Sequence, residues 1–376
     1  MIAAAGKPNV ECVLCCTTSP QIMAPSFLAS SLAAATWPVG ALVAHAADAA
    51  SPPPAPGAKD ATAVRGRPHA TLAEHVGMQF GCVPRLALAA YLYAYVMGDW
   101  RAFAAGPLAW HWVLPIVARN IALAWFVGGV TDFLLLSDLS PFRGAMRRHK
   151  YSGPDRYPRL LATNGTAPVA RDIAWSTCSA AIAALLEAAA LHAYATRRVE
   201  SRAEGDLWWR HWPTVLLMLT WPYTQNIQFY TLHRLLHKWG TTTVPDVGAF
   251  LYKHVHSLHH AAKNPTAFSG IAMHPLESTL YFSYALFPMV FGAHPIAVTY
   301  IFLNLIAAAM LGHSGFEFPA QGSQPHYLHH NLVGVNYAEN HLPIDLLMGT
   351  FAADEDEAQK SMARRGVGVA KVKAAE

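Results

Sequence analysis

Thirteen of the chain's twenty histidines lie between His233 and His341, and their spacing constrains the fold more tightly than any other feature. They form an HxxxH box (His233, His237), an HxxHH box (His256, His259, His260) and a second HxxHH box (His326, His329, His330). His274-Pro-Leu-Glu277 and His313-Ser-Gly-Phe-Glu317 fall between the boxes. Residues three and four apart share one helix face, so each box aims two or three imidazoles at one point. Three such boxes offer about eight imidazoles to a common centre, more than one four-coordinate zinc takes. The chain must therefore fold so that three distant segments surround a two-metal site, built from His233, His237, His256, His259, His260, His274, His313, His326, His329 and His330. Imidazole suits iron, zinc, copper and nickel alike. A single histidine is ordinarily a surface or core residue; the joint pattern is not. His254, beside the second box, His294, in a turn between apolar runs, and His341 are set apart from the ligands. Glu277, Glu317 and Asp345 are placed to accept from the outer ring nitrogens of ligand histidines and so fix their tautomer.

The rest of the chain reads as membrane protein. Only 13% of residues are charged, against roughly 25% in soluble domains, and mean hydropathy is +0.22. A net charge of +4 with scattered basic residues gives no nucleic-acid surface. The five cysteines leave the histidine region empty and make no spaced disulfide framework, which fits free thiols in a reducing compartment.

Four regions follow from composition. Residues 1–85 form a low-complexity tail with a proline linker at Ser51–Gly57, compatible with a targeting segment. Residues 86–210 hold an interfacial segment (86–103) and two crossings, Trp110–Leu136 and Val169–Thr196. Residues 211–351 hold a third crossing at Trp212–Tyr230, the boxes, and an apolar hairpin of Leu276–Phe291 and Ile296–Leu311. Residues 352–376 are a charged tail. The expected class is all-α, a membrane bundle of about four transmembrane helices with a histidine-rich cap. Arg143, Arg147, Arg148, Lys150, Arg156 and Arg159 place the loop between the first two crossings in the cytoplasm. Threading onward puts every box on that same face. Neutral imidazoles leave metal charge uncompensated, which favours oxidising chemistry with bound dioxygen.

At these residues the sequence resembles the fatty acid hydroxylase/sterol desaturase superfamily of integral-membrane oxygenases. The likeness covers about residues 210–351: the three boxes, the two single histidine motifs, Asn336-Tyr337, Asp345 and Gly349-Thr350-Phe351. It implies two non-haem irons, dioxygen as co-substrate, and electrons from cytochrome b5 and its reductase or from a ferredoxin. It adds Asn336 and Tyr337 to the residues around the ligands. A lipid would be hydroxylated or desaturated, a sterol in sterol 5-desaturase-like members, or a fatty acid, sphingoid base or 4-methyl sterol in others. The endoplasmic reticulum, with boxes facing the cytosol, is the implied location; a plastid envelope or bacterial inner membrane are alternatives. No His-Pro-Gly-Gly haem loop occurs here, so the electron donor is a separate protein.

Rival readings fit less well. A zinc protease needs Glu after the first histidine of HExxH, where this chain has Arg234. A metal transporter needs polar residues in mid-membrane, whereas the boxes fall outside the apolar runs. A non-catalytic metal-binding scaffold would not need every box intact.

Overall fold

A computed structural model describes residues 66–91, 101, 106–107, 109–146, 149–151, 168–203, 208–241, 243–317 and 324–367. The tail through residue 65 and the topogenic Arg147, Arg148, Arg156 and Arg159 lie outside the described residues. Among the described residues the regular elements are helical, with one isolated antiparallel bridge between Lys150 and Phe316. The longer α-helices are α1 (Leu72–Tyr91), α2 (Trp110–Leu136), α3 (Pro168–Ala195), α4 (Trp212–Leu235), α5 (Val247–His254), α6 (Pro275–Phe282), α7 (Ile296–Gly312), α8 (Gln324–Leu332) and α9 (Glu355–Arg364).

Two of them, α2 with 27 residues and α3 with 28, are long and apolar enough to cross a membrane. At 1.5 Å per residue each reaches about 40 Å, beyond the ~30 Å of a hydrocarbon core. Trp125, Phe126 and Phe133 of α2 are half exposed, as lipid-facing residues would be. The expected third crossing continues without a break to Leu235, so α4 carries His233 on its last turn. It buries Thr214, Gln225 and Asn226 and is more polar than α2 or α3. The expected hairpin differs more. Its first limb is broken into α6, a 3-10 turn (Ser283–Leu286) and one turn at Phe287–Val290; Pro288 has no N–H with which to continue a helix. Its second limb, α7, is only 17 residues long and nearly all buried. An all-round apolar helix is what a bundle centre requires, and α7 packs on α1, α2, α3 and α4. Among the described residues, α2 and α3 thus have by themselves the length and apolarity of a crossing.

Helix α1 runs across the expected boundary at residue 85. Thr71 starts it with a capping box, the Glu74 carboxylate accepting from Thr71 N (2.6 Å) and Glu74 N donating to Thr71 Oγ1 (3.3 Å). Pro84 lies inside this helix.

Inside the bundle, Arg119 donates to Glu187, which also accepts from Asn120 Nδ2 (3.2 Å) and Thr299 Oγ1 (2.7 Å). Three helices are thereby tied at one point. Glu187→Ala would remove the buried carboxylate that gathers Arg119, Asn120 and Thr299, and is expected to destabilise the protein by about 3 kcal/mol. Thermal unfolding in detergent should show this as a lowered midpoint, with Glu187→Gln intermediate.

The segment after the second box is pinned from three sides. Ser269 Oγ donates to Asp172 Oδ2 of α3 (2.7 Å) and Ala267 N to Asp132 Oδ1 of α2 (2.8 Å). Gly270 lies so close to α7 that a Cβ there would stand 2.2 Å from the Ala309 carbonyl oxygen. This clamp sets where the second box sits relative to His313 at the end of α7.

Candidate metal centre

Nine of the ten expected ligands converge, in two groups. His233, His237, His256, His260 and His329 place ligand atoms within 4.8 Å of one another, and so do His259, His313, His326 and His330. All nine are buried. The last turn of α4 supplies His233 and Leu236-His237 just beyond it. A 3-10 stretch (His256–Ala261) supplies the second box, and α8 supplies the third. His313 is the C-cap of α7.

Pairs four apart stay together: 233 with 237, 256 with 260, and 326 with 330. The remaining histidine of each HxxHH box crosses over, His259 to the second group and His329 to the first. Each HxxHH box therefore serves both groups and locks them side by side; His260 and His330 have ring centroids 4.8 Å apart across the divide.

The nitrogens meet head to head. His256 Nε2 lies 3.0 Å from His233 Nε2 and 3.1 Å from His260 Nε2, and His329 Nε2 lies 3.1 Å from His260 Nε2. In the second group His313 Nε2 is 2.8 Å from His326 Nε2 and 3.0 Å from His330 Nε2. Four outer nitrogens are engaged elsewhere, whereas Nδ1 of His259, His260, His326 and His330 is buried without a hydrogen-bond partner. Nδ1 of His233 donates to Tyr337 O (2.7 Å), Nδ1 of His329 to Val335 O (2.6 Å) and Nδ1 of His313 to Ala309 O (2.7 Å). Nδ1 of His256 faces Glu277 Oε1 at 2.7 Å. With the proton on Nδ1, Nε2 of each of these four engaged imidazoles presents a lone pair. The lone pairs of His233 and His256 then oppose each other at 3.0 Å, an arrangement that repels unless a cation sits between them. Buried His237 Nε2 has no partner at all. The residues fit metal ions, one per group.

Burial, reinforced by neighbouring imidazoles, holds these histidines in the neutral form. His256 is pushed down to about 3 and His313 to about 4, and the other seven lie well below the ordinary value. Their folded-state values lie below the 6.5 of an unfolded chain, so on acidification the unfolded state takes up protons first. The stabilisation is complete above pH 6.5 and is lost as the pH falls from there toward 4. Metal binding carries the same sign, since protonation competes for the lone pairs. Thermal midpoints and retained metal should both fall between pH 7.5 and 5; a flat profile would contradict neutral buried imidazoles.

Other expected residues divide. His274 joins neither group: it is only partly buried and caps α6, its Nδ1 accepting from Leu276 N at 3.2 Å. The neighbouring Pro275 at the first helical position accounts for that role. Glu277 does meet one of these histidines, His256, as above. Glu317 instead accepts from Tyr151 Oη. Asp345 touches no histidine: it accepts from Tyr337 N (2.9 Å), Ala338 N (2.7 Å) and Thr350 Oγ1 (2.6 Å). Asn336 bonds both ways with the Ala352 backbone and sits at φ +54, one of two positive-φ residues, with Val333, in the turn after α8. Tyr337 contributes its carbonyl, and its ring packs on His233, His237 and His329. The sequence reading missed Val335 and Ala309, which act through backbone carbonyls and have no side-chain signature.

A narrow cleft between α4 and α6 reaches the first group at His233. Its walls are mostly apolar (Phe229, Leu232, Leu236, Met273, Leu280, Tyr281), and Gln228, His233 and Glu277 line it as well. The geometry can hold two metals beside a slot for a greasy molecule.

Residues 215–350 match the fatty acid hydroxylase family. The chain is 29% identical over 153 residues to lathosterol oxidase of Rattus norvegicus, covering 38% of this chain and 46% of that protein. It is 29% identical to the very-long-chain aldehyde decarbonylase GL1-11 of Oryza sativa subsp. indica, over 37% of this chain and 54% of that one. Fatty acid hydroxylase ahd1 of Mycosarcoma maydis is 33% identical over 38% of this chain and 33% of its own length. The chain thus spans about a third to a half of these relatives. No solved structure matches it.

Proposed function

We propose that this chain, whose residues 215–350 match the fatty acid hydroxylase family and which is similar to lathosterol oxidase over part of its length, is a membrane oxidoreductase inserting oxygen into a lipid, or desaturating it. The observation that carries this reading is the meeting of two all-imidazole groups with an apolar cleft at His233 and Glu277. His233, His237, His256, His260 and His329 would hold one iron, and His259, His313, His326 and His330 the other. Bound there, the irons supply the activation of dioxygen that breaking an unactivated C–H bond demands. Hydroxylation consumes one dioxygen, two electrons and two protons and yields an alcohol and one water; desaturation consumes the same and yields an alkene and two waters.

The chain's own residues position and shield. Glu277 Oε1 orients His256, and the carbonyls of Tyr337, Val335 and Ala309 orient His233, His329 and His313. Phe229 and Leu232 exclude water from the cleft and align an alkyl segment against the first group. Electrons come from a separate donor such as cytochrome b5 or a ferredoxin. A sterol substrate is favoured by the lathosterol oxidase likeness. An acyl substrate is the second reading, favoured by the identity to fatty acid hydroxylase ahd1. The bundle spans the membrane about four times, in the endoplasmic reticulum with its boxes toward the cytosol.

Lipid profiling of a sterol 5-desaturase-deficient yeast expressing the chain tests this. A 5,7-diene sterol that appears with the intact chain and not with His259→Ala, His260→Ala supports the sterol reading. New hydroxylated acyl or sphingoid species with the same dependence support the second. No histidine-dependent lipid change in well-expressed, iron-loaded protein would overturn both.

A further inference from the structure

Beyond the last turn of α4 the chain presents an apolar face that no described residue covers. Leu235 (44% exposed), Val244 (57%), Val247 (47%) and Phe250 (61%) belong to the segment joining the first and second boxes. On α5, Val247, Phe250 and His254 fall on one face, and the Phe250 and His254 rings lie 4.5 Å apart. The opposite face is buried by Gly248, where a Cβ would stand 2.1 Å from His237 O and 2.4 Å from Trp239 Nε1. Helix α5 is thereby fixed flat against the end of α4 with its apolar side outward. Leu235 continues the exposed apolar residues of α4, Leu216, Leu219 and Ile227, past the bundle.

Charge identifies what lies against this face. Between residues 231 and 260 the basic side chains are Arg234, Lys238 and Lys253, and the single acid is Asp246. That carboxylate is turned inward, accepting from Trp239 N, Gly240 N and Ala249 N at 2.8–3.1 Å. Lys238 and Lys253 are exposed. An apolar face edged by cations, with its one anion engaged by backbone, matches the headgroup zone of an anionic leaflet. We propose that α5, with Leu235 and Val244, lies in the headgroup layer of an anionic lipid leaflet. The inference rests on the membrane reading above but not on the reaction. Because His237 and His256 flank α5 in sequence, this contact sets the height of the first metal group over the bilayer.

Photo-crosslinking of the full chain in nanodiscs tests it, with benzoylphenylalanine at Phe250, at Ile227 as a bundle control and at exposed Gln359 as an aqueous control. Phe250 should give lipid adducts well above Gln359. In mixed discs they should favour phosphatidylglycerol over phosphatidylcholine, and Lys238→Gln and Lys253→Gln should each lower that preference by about five-fold. Adducts at Ile227 with none at Phe250 would overturn this proposal alone. Silence at both would overturn it together with the membrane reading. Lipid adducts at Phe250 indifferent to headgroup and to both lysines would overturn the anionic assignment, and chain-to-chain adducts would replace the leaflet with a second copy.

Discussion

His260→Ala is expected to reduce lipid oxidation by well over 100-fold, because removing a ligand exceeds the ~10–100-fold cost of losing an outer partner. Its Nε2 stands 3.1 Å from both His256 Nε2 and His329 Nε2, at the middle of the first group. Its ring also packs against His330 of the second group, so the hole would open at the boundary between the two. Metal analysis should show one equivalent lost and the other largely kept. Exposed His254, two residues before the second box, is the control, and His254→Ala should leave product formation and metal content unchanged. Product chromatography beside metal quantitation checks both; full activity in His260→Ala would remove the first group from the reaction.

Asp345→Ala should have the next largest effect, although Asp345 touches no ligand. Its carboxylate holds Tyr337 N, Ala338 N and Thr350 Oγ1. The turn so held carries the carbonyls of Val335 and Tyr337, which fix His329 and His233. Two positive-φ residues, Val333 and Asn336, make that turn one the chain would relax if released. Loosening two first-group imidazoles together should lower metal affinity there by about 10–100-fold. The second group, whose His313 is oriented by Ala309 O, should keep its own. Equilibrium metal titration resolves the two; equal weakening of both groups would mean general unfolding instead.

The sequence carried the site further than it carried the fold. Spacings of four survive as shared-group pairs at the end of α4, in the 3-10 stretch and within α8. The crossing over of His259 and His329 was not legible, since it depends on how the 3-10 stretch and α8 face each other across the site. Glu277 was legible as a partner for a histidine. Glu317 and Asp345 carry the same carboxylate signature yet bind a tyrosine and a backbone turn. Backbone carbonyls such as Val335 O leave no trace in residue identity. Apolar runs marked α2 and α3 within one residue at each end. They overstated the hairpin, because burial inside a bundle and exposure to lipid select the same side chains, and Pro288 interrupts the first limb.

The most direct measurement is iron stoichiometry with Mössbauer spectroscopy on the purified full chain, loaded anaerobically with isotopically enriched iron. Two groups of five and four imidazoles predict two irons per chain in distinct environments, with His313→Ala removing one signal and His237→Ala the other. A folded chain that binds a single iron, or two that both survive either substitution, would contradict the two-metal account.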